Sequence, residues 1–427
     1  MKLSKPVAVA IDVGTTTIAA SLLDCESGER LAMTGSLNPQ REFGADVVSR
    51  LAAAVSSADN LFRMSKLINA ELERLTVKLL DDCGAARRDL RCIGIAGNPA
   101  IEHLLLGLSV KSLAFPPYRP LFSAGKTMTT ASLGWGLDLD AYIFPLPGGF
   151  VGGDLVAFLY GEGVCAAHST QHAARLYLDL GTNGELALVA GGKIYATSAA
   201  AGPAFEGGNL ACGMAALPGA ISGVSFAGDK VGIATIGNEA PTGICGSGVI
   251  AAVAGLLEAG ILDQSGRLLE ADEIPSNLAN HVRNVDGETG FVFYRDARRT
   301  IYLSQGDIRQ VQLAKGAIRA GMEVLLQRAG ISGDSIQEVV LTGSFGAILS
   351  PEHLKNVGIF SENMVKNAGF VHEGALRGVE KAICAGDDFA ALDRLAESIK
   401  VIPLSGTPAF EKHFLEHMNF PKLQNGA

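Results

Sequence analysis

The spacing of apolar positions changes period several times along the chain, and the changes divide it into elements. Val7-Ala-Val-Ala-Ile11 is a short apolar run that meets Asp12-Val-Gly-Thr-Thr-Thr17 and resumes as Ile18-Ala-Ala-Ser-Leu-Leu23, which predicts strand, glycine turn, strand. Ser27-Gly28 then turns the chain into a third strand. From Ala45 to about Leu80 the spacing of Val47, Val48, Leu51 and Val55, and then of Leu61, Met64, Leu67, Ile68, Leu72, Leu75 and Leu79, is helical. Cys92-Ile-Gly-Ile-Ala96 returns to a strand pattern, and the Pro- and Gly-rich stretch from Phe115 to Gly153 predicts mostly loop, an insertion or a moving edge.

The opening pattern comes back in Leu176-Tyr-Leu-Asp179-Leu-Gly-Thr-Asn-Gly184, followed by Glu185-Leu-Ala-Leu-Val189, a Gly191-Gly192 turn and Lys193-Ile-Tyr-Ala-Thr197. One Asp-x-Gly-Thr is ordinary hairpin chemistry. Two copies in matching strand contexts predict two similar lobes with their openings facing each other across a cleft: residues 1–170 with the first turn and the Pro/Gly-rich insertion, and 171–427 with the second. Ser304-Gln-Gly-Asp307 has the form of a capping box opening a helix with Ile308, Val311, Ile318, Met322 and Leu325 on one face. Lys315 falls on that face, where its stem can run along the core or its ammonium can meet a ligand. A third strand-to-glycine turn follows in Gln337-Glu-Val-Val-Leu-Thr-Gly343-Ser-Phe-Gly346.

Composition narrows the chemistry. With 35 Lys and Arg against 44 Asp and Glu, the formal charge of −9 argues against a nucleic-acid or anionic-membrane partner. The uncharged stretches Gly207 to Gly228 and Ala240 to Leu257 are broken by Gly and Pro and predict buried core rather than membrane spans. Seven cysteines, none in a C-x-x-C pair, fit a reduced cytoplasmic protein, and the apolar run before Asp12 is too short for a signal peptide.

The glycine turns suit phosphate, because Gly allows a tight turn and close approach of backbone N–H groups. Thr15, Thr16, Thr17 and Thr182 add hydroxyl donors beside Gly14, Gly181 and Asn183. Asp12 and Asp179 would repel phosphate alone but fit if each holds waters of a bound Mg²⁺. Gly343, Ser344 and Phe345 would lie against the nucleoside, and Gly246 would open a helix lining the nucleotide.

This arrangement resembles the actin-like ATPase superfamily of sugar and acetate kinases and the large heat-shock chaperones, which implies a two-lobed α/β fold with duplicated ribonuclease H-like lobes and ATP–Mg²⁺ in the interlobe cleft. The segments Ser36 to Arg50 (SLNPQREFGADVVSR), Ala96 to Gly107 (AGNPAIEHLLLG), Ala201 to Gly208 (AGPAFEGG) and Gly243 to Gly248 (GICGSG) are similar to the ATP-dependent reductive activators of corrinoid proteins, and with Ile402-Pro-Leu-Ser405 and Phe410 to Phe420 the likeness covers nearly the whole chain. The resemblance implies an ATPase that returns the Co(II) corrinoid of a methyltransferase component to Co(I). It also implies that Lys315 contacts the nucleotide, since a helix before the adenosine motif lines the base pocket in that superfamily. Such activators usually carry an iron–sulfur domain, whereas the cysteines here lack cluster spacing, so no iron–sulfur cluster is expected and electrons come from a separate donor.

Glu206, a lone acid among small residues, is a candidate for positioning the attacking water or for accepting loop N–H bonds. A small-molecule kinase with Asp154 or Glu206 as base, or a nucleotide-gated binding module, remain alternatives. Other patterns read as ordinary structure. Gly125-Lys126-Thr127 lacks the first glycine of a P-loop, His168 and His172 sit in a polar linker, and His413-Phe-Leu-Glu-His417 forms an amphipathic terminal helix with Phe410, Phe414 and Met418. Cys212 and Cys245 are small buried thiols, or, in a possible homodimer, ligands of an intersubunit cluster.

Overall fold

The computed structural model describes residues 5–165, 173–343, 349–385 and 389–423. The chain forms two compact units. The first contains Met1–His172, Val189–Thr197 and Glu373–Pro403, and the second contains Ala173–Leu188, Ser198–His372 and Leu404–Ala427. The sequence division near residue 170 thus sits close to one boundary, but two later segments group with the first unit.

In the first unit a six-stranded sheet has the order Arg30–Leu37, Thr17–Asp24, Val7–Val13, Leu90–Gly97, Asp140–Ile143, Lys126–Thr129. Val7–Val13 lies at its centre with every residue buried except Asp12, as expected for a strand covered on both faces. It pairs antiparallel with Thr17–Asp24 (Asp12 opposite Ala19, Val13 opposite Ile18) and parallel with Leu90–Gly97 (Asp12 beside Ala96). The pairing fixes the turn 14–16 at the end of the central strand.

Two differences from the sequence pattern have local causes. The helical stretch is two helices, Val47–Ser56 and Ala58–Cys83, separated by Ser57, whose backbone is extended (φ −152°, ψ 127°) and whose hydroxyl accepts from Asn60 N–H as N-cap of the second. Within the stretch expected to be mostly loop, Lys126–Thr129 and Asp140–Ile143 pair antiparallel and extend the sheet, with Gly125 N–H donating to Asp393 Oδ1 at 2.7 Å.

Glu373–Pro403 joins this unit through close packing and charge. Gly378 of the helix Gly374–Cys384 abuts the backbone of Ala157 in the helix Gly153–Gly161, leaving no room for a Cβ. Arg30 pairs with Glu373 and Glu380 at 2.7 Å each, and Ser21 Oγ donates to Glu380 at 2.5 Å.

In the second unit the strands Ala368–Phe370, Ile336–Thr342, Ala174–Leu180 and, as far as Leu188, Gly184–Ala190 lie side by side in that order. Ile336–Thr342 runs parallel to Ala174–Leu180 and sets Thr342 beside Asp179. The helix Gln305–Ala329 begins with the expected capping box: Ser304 Oγ accepts from Asp307 N–H at 3.1 Å, and Asp307 Oδ2 accepts from Ser304 N–H at 2.9 Å. Its buried face carries Ile308, Val311, Ile318, Met322 and Leu325, and Ile318 fills the space left by Gly184. Among the described residues no helix is long and apolar enough to cross a membrane.

Candidate functional site

Each Asp-x-Gly-Thr turn is braced by side chains of its own unit. At the first, a Cβ on Gly14 would stand 2.7 Å from the carbonyl oxygen of Thr17, so the hairpin closes as it does only with glycine. Three buried side chains from outside the hairpin fix the turn. Asn38 Nδ2 donates to Gly14 O at 2.9 Å, Arg50 Nη2 donates to Thr15 O at 2.7 Å, and Asn98 Nδ2 donates to Thr15 Oγ1 at 3.2 Å. Asn38 N–H also donates to Thr16 O at 2.9 Å. With its carbonyls so engaged, the turn is held in one conformation before any ligand arrives.

The braces are themselves held. Arg50 is 1% exposed, its Nε donates to Gly44 O at 3.0 Å, and burial lowers its guanidinium to about 10. Asn98 Oδ1 accepts from Ile101 N–H at 3.0 Å as N-cap of the helix Pro99–Leu105, which leaves its amide nitrogen for Thr15.

Next to this turn lies a pair of carboxyl groups. Glu102 is buried, its Oε1 accepts from Gly97 N–H at 3.2 Å, and among the described residues its Oε2 finds no hydrogen-bond partner. Burial, with Asp154 nearby, holds its acid well above the usual carboxylate range. Asp154, in the first turn of the helix Gly153–Gly161, accepts from Leu155 N–H at 2.8 Å and is raised by burial to about 6. Gly152 and Gly153 permit the approach, since a Cβ on either would strike Gly97 O and Asn98 or Glu102 and Phe144.

At the second turn Gly181 N–H donates to Asn183 O at 3.1 Å, and the buried Thr182 hydroxyl donates to a carboxylate oxygen of Glu206. Glu206 ends the 3₁₀ turn Pro203–Glu206, and Gly207 follows in the left-handed region (φ 77°). Gly246, the first residue of the helix Gly246–Glu258, packs on the carbonyl of Phe205 with no space for a Cβ, so that helix sets the backbone carrying Glu206.

Other candidates stand elsewhere. The ammonium of Lys315, expected at a nucleotide, is instead buried against the C-terminal segment of its own unit. It donates to Asn419 O, lies 5.2 Å from the Phe420 ring centroid, and is lowered by burial to about 8. Gly343 follows Thr342 directly, while Ser344 and Phe345, like His168 and His172, lie outside the described residues. Cys245 is buried with its thiol on Ile221 O, and Cys212 is half-buried on Thr300 O with its thiol pushed up by burial. Sequence reasoning missed Asn38, Arg50, Asn98 and Glu102 as individual side chains. Their signal lay in the segments Ser36 to Arg50 and Ala96 to Gly107.

The duplicated strand–turn–strand units define a protein of the ASKHA class, with an actin-like fold. Residues 173–426 match the family model for the C-terminal domain of RACo, the ASKHA domain, and residues 7–166 match that for the RACo middle region. The chain belongs to this family. It is 30% identical over 431 residues to the corrinoid activation enzyme RamQ of Eubacterium limosum, covering 97% of this chain and 71% of that protein. It is 24% identical to a [Co(II) methylated amine-specific corrinoid protein] reductase of Methanosarcina barkeri, covering 82% of this chain and 65% of that one. Among solved structures, a reductive activator for corrinoid, iron-sulfur protein superposes with a TM-score of 0.89 at 28% identity, covering 99% of this chain and 67% of that chain.

Proposed function

We propose that this chain is an ATP-hydrolysing activator of a corrinoid protein, coupling Mg²⁺-dependent ATP turnover to reduction of the partner's Co(II) to Co(I), with electrons from a separate donor in the cytoplasm. The observation that supports it best is the pair of braced Asp-x-Gly-Thr turns in a chain of the RACo family. In this reading Gly14, Thr15, Thr16 and Thr17 and, in the second unit, Gly181, Thr182 and Asn183 offer N–H and hydroxyl donors to phosphate oxygens, and Gly246, Gly343, Ser344 and Phe345 serve the nucleoside side. Asp12 in the first unit and Asp179 in the second would each hold water of a bound Mg²⁺, which would offset charge on the phosphates. Glu206 orients the attacking water while Thr182 fixes its carboxylate.

One observation favours a second reading, phosphate transfer to a small acceptor. Asp154, with a carboxyl at about 6, is in the range of a general base near neutral pH. The deciding experiment measures ATP consumption by the protein alone, with a Co(II)-corrinoid protein and with hydroxyl and carboxylate acceptors. Stimulation by the corrinoid protein, abolished in Asp12→Asn and Asp179→Asn, supports activation. A phosphorylated acceptor with no response to the corrinoid protein overturns it.

A further inference from the structure

The sequence His413-Phe-Leu-Glu-His417 reads as one stretch of amphipathic helix, but the fold gives its polar face a geometry that solvation alone does not require. The helix Pro408–Glu416 and its C-cap His417 bring one nitrogen each of His413 and His417 and one oxygen of Glu416 within 4.8 Å of one another. His413 Nδ1 is 3.0 Å from Glu416 Oε2. A further carboxylate, outside that group of three, comes from a different element and lies beside His417. Glu323, on the helix Gln305–Ala329, places Oε1 3.9 Å from His417 Nε2.

We propose that His413, Glu416, His417 and Glu323 form a binding site for a zinc-type divalent cation that clamps the C-terminal helix to the helix Gln305–Ala329. Two imidazole nitrogens and two carboxylate oxygens are a donor set for Zn²⁺, whereas Mg²⁺ and Ca²⁺ select oxygen ligands. The two carboxylates balance the ion's charge. The side chains of His413, His417 and Glu323 are 19%, 30% and 23% exposed, so much of the ordering needed for a chelate is already done by packing.

The surroundings act in both directions. Arg319 donates to Glu323 Oε1 at 2.6 Å and to Ile359 O at 3.0 Å, which fixes the carboxylate as an outer-shell partner would. Arg319, Lys412 (3.8 Å from Glu416 Oε1) and the buried Lys315 oppose a cation, so binding is weaker than in a cage free of positive charge. The segment after the helix already lies along Gln305–Ala329, where Gln312 Nε2 donates to Met418 O at 3.2 Å and Lys315 donates to Asn419 O, and beyond it Phe420 N–H donates to Gln264 O at 2.8 Å. A metal ion would add a cross-link ahead of these contacts and hold the chain end in place.

The test uses untagged, full-length protein stripped with a chelator and titrated with Zn²⁺, Mg²⁺ or Ca²⁺, with metal content and thermal unfolding as readouts. The expected result is one equivalent of Zn²⁺, a rise in melting temperature, no comparable effect of Mg²⁺ or Ca²⁺, and at least roughly 10-fold weaker Zn²⁺ binding in Glu323→Gln. The variant His413→Ala/His417→Ala should melt like the stripped wild type and lose both the binding and the shift. Equal Zn²⁺ affinity in this double variant, an unchanged affinity in Glu323→Gln, or no binding by the wild type would each overturn the proposal. ATP turnover is not a readout, so the proposal stands or falls independently of the nucleotide site.

Discussion

Arg50 donates through Nη2 to the carbonyl oxygen of Thr15 at 2.7 Å, tying the helix Val47–Ser56 to the glycine turn at the end of the central strand. The guanidinium is buried and spends a second donor on Gly44 O. A planar fork can serve two carbonyls at fixed angles, and an ammonium cannot. Arg50→Lys should therefore lose one or both contacts, each worth about 1.5–3 kcal/mol when a charged donor is buried. The expected outcome is a lower denaturation midpoint together with weaker ATP binding. Wild-type affinity in a correctly folded Arg50→Lys would show that the turn needs no such brace.

Glu206 is expected to act on turnover rather than on binding. Glu206→Gln keeps an oxygen to accept the Thr182 hydroxyl but removes the charge that would orient water. Turnover should fall by roughly 10²–10⁴-fold while the dissociation constant for ATP stays within about threefold. Equal loss of both would make Glu206 a scaffold for the turn.

The Glu102–Asp154 pair predicts an acid-stabilised unit. Both carboxyls have raised values in the folded chain, Asp154 about 6 against 3.8 for an ordinary Asp, so between these values the folded state holds protons that the unfolded state releases. The stabilisation is full below the ordinary carboxylate range and is lost as pH rises through the folded values. Glu102→Gln should flatten the dependence of melting temperature between about pH 4 and neutral pH, and raise the value at the neutral end. A slope equal to wild type in Glu102→Gln and Asp154→Asn would remove the pair as its source.

Lys315 predicts the opposite slope at alkaline pH. Its ammonium is lowered from 10.5 to about 8 by burial, so in that window the unfolded state binds the proton more strongly. Stability should rise as pH passes from about 8 towards 10.5, relative to Lys315→Met, in which the titrating group is gone. Denaturant midpoints of both proteins across that range decide it. Parallel curves would mean that the buried amine does not titrate between those values.

The local elements were legible in the sequence because their causes are local. An apolar run closed by Asp-x-Gly-Thr states its strand and its turn, the spacing from Met64 to Leu79 states a helix face, and Ser304 with Asp307 states a helix start. The strands Lys126–Thr129 and Asp140–Ile143 were not legible, since four residues show too little alternation and what joins the pair to the sheet is the pairing of Asp140–Ile143 with the distant strand Leu90–Gly97. Tertiary structure alone decided the partners of polar side chains. Asn98 reaches Thr15 across 83 positions and Lys315 reaches Asn419 across 104. A buried donor must be satisfied by whichever acceptor the packing brings within about 3 Å, and sequence spacing carries no record of which that will be. Thus the chain's pattern determined that there are two Asp-x-Gly-Thr turns, while the packing of distant segments decided which side chains hold them and where the conspicuous lysine went.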